Sequence, residues 1–208
     1  MATALSNSNS ARRFVISNAA MSCALMLAAL SAGCGRPFNV KTQPGLPPAR
    51  YAAKATVDNL TIEAQAVIDE DFLYDTFDAN LISAGVLPVR VKLTNSSDEN
   101  IDLRRARFEA QAGGRSFKEI NAKKAFKQLI SYYGISAYSK SGYKESLEAF
   151  SGYALDVVLP LGPRQTRQGL VFVLMPQEIA RATGLNLVID KLGMKQRGDS
   201  NRVVLNLN

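Results

Sequence analysis

The stretch LPVRVKLTNSSDENIDL, residues 87–103, decides the reading of the fold. Val89, Val91 and Leu93 alternate with Arg90, Lys92 and Thr94, and a period of two puts the first set on the inner face of a strand and the second on its outer face. The run NSSDEN at 95–100 supplies short polar side chains that bond their own backbone in turns. Ile101 and Leu103 start a third strand, which Ala106, Phe108 and Ala110 continue with a changed phase, the mark of a bulge. Strand, polar turn and returning strand form the unit of an antiparallel sheet.

Working outward, Leu60, Ile62, Ala64, Ala66 and Ile68 share one parity against Thr61, Glu63 and Gln65, which predicts another half-buried strand. Gly113 and Gly114 turn the chain into a short strand around 116–118. Further on, strands are expected at 153–159 and 169–175, and the second is too continuously apolar to have a wet face, so it belongs in the middle of a sheet. A helical turn at 176–183 ends at Gly184, and a closing hairpin pairs 185–189 with 203–207 around the polar loop 198–201. Between the two groups of strands the period changes. Ala122, Ala125, Phe126, Leu129, Ile130 and Tyr133 recur at spacings of three and four, which predicts a helix ended by Gly134. A second helix is expected at 143–150, with Tyr143, Leu147 and Phe150 inward and Ser141 as its N-cap.

These patterns predict a mainly β chain: an antiparallel β-sandwich with a two-helix insertion at about 119–152. The phrases at 87–103 and LPLGPRQTRQGLVFV at 159–173 resemble the Ig-like or fibronectin-like sandwiches of bacterial cell-envelope lipoproteins. That resemblance spans roughly 56–207 and implies a fold but no active site, because such sandwiches carry many functions.

Ahead of the strands lies a leader. Residues 1–13 are polar and end in Arg12 and Arg13, and an apolar run at 14–33 follows, which is the order of a secretory signal peptide. It closes with Leu30, Ser31, Ala32, Gly33 and Cys34, which resembles the lipobox of bacterial lipoproteins, although Ser31 stands where that family usually has leucine. The resemblance implies cleavage between Gly33 and Cys34, acylation of the Cys34 thiol, and membrane lipid as a partner. Gly35 in the next position implies sorting to the outer membrane, facing the periplasm. Two other outcomes stay open: retention of 14–33 as a spanning anchor, since its length suits a bilayer, or plain cleavage to a soluble periplasmic protein. Cys23 is a poorer lipidation site, with Met21 where a small residue is expected. Residues 34–55, with Pro37, Pro44, Gly45, Pro47 and Pro48, read as an extended tether, leaving 56–208 as the sandwich domain.

Composition narrows the chemistry. The 208 residues contain no histidine and only two cysteines, so the commonest general base is missing and the sandwich has no thiol for disulfides or zinc. Without Arg12 and Arg13 the 25 basic residues fall to 23 against 18 acidic ones, a net +5 after the leader. That excess suits anionic lipid or cell-wall polymer and is too diffuse to imply nucleic acid. No metal site, cofactor or catalytic set is expected. Tyr138, Tyr132, Lys124 and Lys127 in the helical insertion form the expected binding patch for an envelope protein or glycan. The competing class is an envelope hydrolase. Ser141 and Lys144 spell S-x-x-K, as in penicillin-binding proteins, but the companion S-D-N and K-T-G elements are missing. The acidic stretch Asp69, Glu70, Asp71, Asp75 and Asp78 offers carboxylates to calcium or to glycoside chemistry, or else is a solvated loop with Phe72, Tyr74 and Phe77 inward.

Overall fold

A computed structural model describes residues 37–42, 46, 50–136, 138–181, 183–192 and 202–207. Cys34, Gly33, the rest of the leader and the polar loop at 198–201 lie outside the described residues. The elements run β1 (Ala53–Val57), β2 (Leu60–Ala66), α1 (Glu70–Phe77), β3 (Val86–Asn95), β4 (Arg107–Ala112), β5 (Arg115–Ile120), α2 (Ala122–Tyr132), α3 (Lys140–Ser151), β6 (Thr166–Leu174), α4 (Gln177–Ala180), β7 (Asn186–Asp190) and β8 (Val203–Asn206). The protein is mainly antiparallel β, with eight strands in the order β1-β2-β3-β6-β5-β4-β7-β8.

Alternation drives the pairing. Ile62 lies opposite Leu93 and Ala64 opposite Val91, so each pair delivers two apolar side chains to the same face. β6 is central as its composition predicted, lying against β3 over its whole length. Its bond to β5 is far shorter, through Glu119 opposite Val173 and Ile120 opposite Phe172. The order therefore divides at this joint, and the two halves close on one core. Leu60, Ile62, Val89, Val91 and Leu93 from one half join Phe108, Ala110, Leu187, Ile189 and Leu205 from the other in a single buried cluster. At the ends of the order, β1 and β8 come into contact.

The largest departure from expectation is at the N-terminus. Residues 37–42 and 46 do not hang free as a tether, because Phe38, Val40 and Leu46 are only 6–7% exposed and belong to the core. The backbone of this strap is bonded as well. The Phe38 amide donates to the Tyr138 hydroxyl at 2.7 Å, and Ser146 Oγ donates to the Phe38 carbonyl at 3.1 Å. Lys41 donates its amide to the Thr76 carbonyl at 2.9 Å and accepts from the Tyr153 hydroxyl at 2.6 Å. Gln168 Nε2 donates to the Leu46 carbonyl at 3.1 Å. The strap has no regular period because each apolar residue fills a separate gap between helices and sheet. The sandwich likewise begins earlier than residue 56, at Ala53 in β1.

Four further differences have local causes. Residues 101–103 do not lead into β4 through a bulge. Ile101 only exchanges backbone bonds with Leu161, and the Ala106 amide bonds back to the Leu103 carbonyl in a turn. Asp102 promotes that turn by accepting the Arg104 amide at 3.0 Å, and its bond with Arg104 holds the carboxyl down at about 2. The strand expected at 153–159 is a loop, since Asp156 Oδ1 accepts the Val158 amide at 2.9 Å and Arg167 gathers the carbonyls of Asp156, Leu159 and Pro160. The acidic stretch is the helix α1, with Asp69 as N-cap accepting the Phe72 amide. Its Phe77 is buried, while Tyr74 and Ile68, expected to face in, are 50% and 49% exposed. Finally, α3 starts one turn earlier than its apolar residues suggest, because Ser139 rather than Ser141 caps it, accepting the Gly142 amide at 3.0 Å.

Arg90 also departs from the pattern. It was expected on the wet face of β3, yet it is buried beneath the Phe72 ring, 5.3 Å from its centroid, where burial lowers its pKa.

Candidate functional site

The expected patch in the helical insertion separates into two kinds of residue. Tyr138 is half-buried. Its ring sits edge-on to Phe126 and Tyr143 at 6.1 and 5.9 Å, and its hydroxyl receives the strap's Phe38 amide. It is a packing residue, and burial raises its pKa. Tyr133 behaves alike: its hydroxyl exchanges bonds with the Asn80 backbone, and burial pushes its pKa up to about 12. Tyr132 is 54% exposed, and Lys124 and Lys127 are exposed on the outer side of α2.

Neither arrangement considered for hydrolysis is assembled. The Ser141 hydroxyl lies 3.2 Å from that of Ser139, and among the described residues no hydrogen bond joins Ser141 to Lys144. In the acidic stretch, Asp69 caps α1, Asp78 Oδ2 accepts the Asn39 amide, and Glu70 pairs with Arg181. Among the described residues no three carboxylates converge to hold a metal ion.

A cleft that the sequence reading missed arises from the joint in the sheet. β6 meets β5 only through Phe172 and Val173. Two residues earlier, Leu170 has changed partners, donating its amide to the Tyr153 carbonyl at 2.7 Å and accepting from the Leu155 amide at 3.0 Å. Between these partners opens a space of about 730 Å³ floored by Phe108, Leu155, Leu170 and Phe172 and rimmed by Arg107, Glu119, Asn121 and Lys124. Asn121 is committed to capping α2 through the Lys124 amide, at 2.9 Å. The cleft thus offers an apolar floor with charges of both signs at its edge, which suits non-covalent capture of a partly apolar, polar-edged segment. Its residues come from β4, β5, the start of α2, the 154–157 segment and β6, so no sequence spacing unites them. The legible part was Asn121, an N-cap type between a strand and an amphipathic helix.

Burial raises the pKa of Glu119, against the backbone bond at Phe108 and the charge of Arg107. A carboxyl raised in the folded state binds its proton more tightly there than in the unfolded chain. Its contribution to stability is therefore present below the unfolded value of 4.5 and is lost as pH rises through the folded value. Relative to the wild type, Glu119→Gln should accordingly have a urea midpoint that is more favourable at neutral pH than in acid. Equal pH dependence in the two proteins would show that the carboxyl is not desolvated.

No known family profile matches the chain, and no curated protein matches it. Solved structures do. A candidate lipoprotein of Bacillus subtilis is similar at 11% identity over 73% of this chain, with a TM-score of 0.37; the chain spans only 37% of that protein's length. A protein of unknown function from Listeria monocytogenes matches at 12% identity over 74% of this chain and 79% of its own, with a TM-score of 0.38. An uncharacterised β-sandwich protein from Clostridium difficile matches at 11% identity over 78% of this chain and 97% of its own, with a TM-score of 0.35.

Proposed function

We propose that this protein is a lipid-anchored lipoprotein of the cell envelope, held by acylated Cys34 at the periplasmic face of the outer membrane, and that its sandwich is a non-enzymatic interaction module. The observation that carries this reading is the leader: Arg12 and Arg13, an apolar run at 14–33, and the close Leu30-Ser31-Ala32-Gly33-Cys34. Among the described residues no helix is long and apolar enough to cross a membrane; on this reading the anchor is the lipid on Cys34. Each buried methylene contributes about 0.8 kcal/mol, and two or more chains make the attachment effectively stable. The cleft beside β6, with Lys124 at its rim, is the surface for an envelope protein or glycan.

Cys34→Ser tests the anchor. The wild type extracted from membranes should have the mass of the chain from Cys34 onward plus its acyl groups. The variant should lack them and move to the soluble fraction or keep its leader. A variant that fractionates as wild type, with a mass differing only by the exchanged atom, would overturn the reading.

A further inference from the structure

We infer that the domain does not stand off from the bilayer: the end of the α2–α3 pair beside the strap is its membrane-contact surface, and the partner is the headgroup layer of the membrane holding Cys34. This rests on the lipid anchor proposed above. Chain length sets the distance from the bilayer. A free tether over 34–55 would reach about 70 Å extended at about 3.4 Å per residue. The strap shortens it. Phe38 is in the core, its amide bonded to Tyr138 and its carbonyl to Ser146, so the leash from Cys34 has only four residue steps, about 14 Å at full stretch.

The acylated cysteine sits at the level of the headgroups, a layer roughly 5–8 Å thick on each side of the hydrocarbon. Whatever surrounds Phe38 must then lie at or just above that layer. Phe38 packs edge-on to Phe126 and Tyr133 of the α2 segment, 6.2 and 5.5 Å away, and touches Tyr138 and Ser146 on either side of the start of α3. The surface turned to the membrane is therefore the connection between α2 and α3, with exposed Tyr132, Lys140, Ser141 and Lys144. Lys140 and Lys144 are the exposed cations of this end, and they suit an anionic lipid surface. Tyr132, with a ring and a hydroxyl, suits the boundary between apolar and wet layers.

The opposite end of the domain is well defined. Tyr133 and Gln128 bond to Asn80 and Ala84, just ahead of β3, whereas Asp98 follows the far end of that strand, about 30 Å away at about 3.3 Å per residue.

The test uses the lipidated protein in phosphatidylcholine–phosphatidylglycerol vesicles, with a fluorophore on Ser141→Cys or on Asp98→Cys and a quencher attached to lipid headgroups. Intact mass is measured first. Acylated protein should show severalfold stronger quenching at position 141 than at 98, and a flexible Gly-Ser insert between Arg36 and Pro37 should reduce the difference to near zero. Acylated protein with equal quenching at both positions, or with a difference that survives the insert, overturns this inference while leaving the anchor intact. Protein without acyl groups overturns the anchor and this inference with it.

Discussion

Phe150→Ala is expected to lower folding stability by about 3–5 kcal/mol, as deletion of a large buried ring does when its surroundings cannot collapse. Phe150 is fully buried. From α3 it stacks on Phe172 of β6 with centroids 4.9 Å apart and an interplanar angle of 21°. It also meets Phe77 of α1 at 5.3 Å and Phe126 of α2 at 5.4 Å. One side chain thus joins three helices to the central strand, and removing it opens a cavity no single element can move to fill. Denaturant titration gives the cost. A suitable comparison is Phe117→Ala, whose half-buried ring lies at the β4–β5 hairpin beneath Arg115 and whose loss should cost much less. A Phe150 variant within about 1 kcal/mol of wild type would contradict the packing.

Gly169→Ala should be the costliest small substitution. A Cβ there would lie 2.4 Å from Leu155 Cα, 2.5 Å from its amide nitrogen and 2.9 Å from the Ala154 carbonyl carbon. All three are backbone atoms, so no side-chain rotation relieves the clash. The segment carrying Tyr153 and Leu155 must leave β6 and give up both backbone bonds to Leu170. With about 0.5–1.5 kcal/mol for each bond and the strain of overpacking added, the expected loss is about 2–4 kcal/mol. The strap should loosen too, because the Tyr153 hydroxyl holds the Lys41 carbonyl. Gly113→Ala provides the contrast: its φ of 55° strains an L-residue, but nothing lies within 4 Å of the added carbon, so only the backbone penalty of about 1–2 kcal/mol applies. Equal melting of Gly169→Ala and wild type would mean that the 153–155 segment does not lie against β6.

What the sequence made legible follows from periodicity. β2, β8 and α2 bury regularly spaced residues and β3, β6 and β7 bury short continuous apolar runs, and such elements can be read one at a time. The strap could not be, since Phe38, Val40 and Leu46 belong to no repeat and are buried only because the helices and β6 leave room for them. Asp102, Asp156 and Ser139 act through local side-chain-to-backbone bonds, and such bonds shifted element boundaries that an apolar pattern extends too far or starts too late. Gly169 carried a readable sign, because glycine inside an apolar strand often marks a close backbone approach. The cleft carried almost none. It exists because β6 changes partners between Leu170 and Phe172, a property of strand order rather than of any local run.

The same consideration explains why Tyr138 looked like a contact residue. In sequence it stands among Ser and Lys between two helices, which suits a recognition loop. In the fold its hydroxyl meets the backbone of a residue 100 positions earlier, a contact no local pattern foretells.

The claim on which the account turns is that folded structure begins almost at once after Cys34, at the strap. Native-state hydrogen exchange of the Phe38 and Lys41 amides tests it directly. Bonded to the Tyr138 hydroxyl and the Thr76 carbonyl, both should be strongly protected, with Lys41 opening only as the core opens. Exchange of both at the rate of an unstructured peptide, with β3 and β6 still protected, would mean that residues 37–42 are a free tether after all.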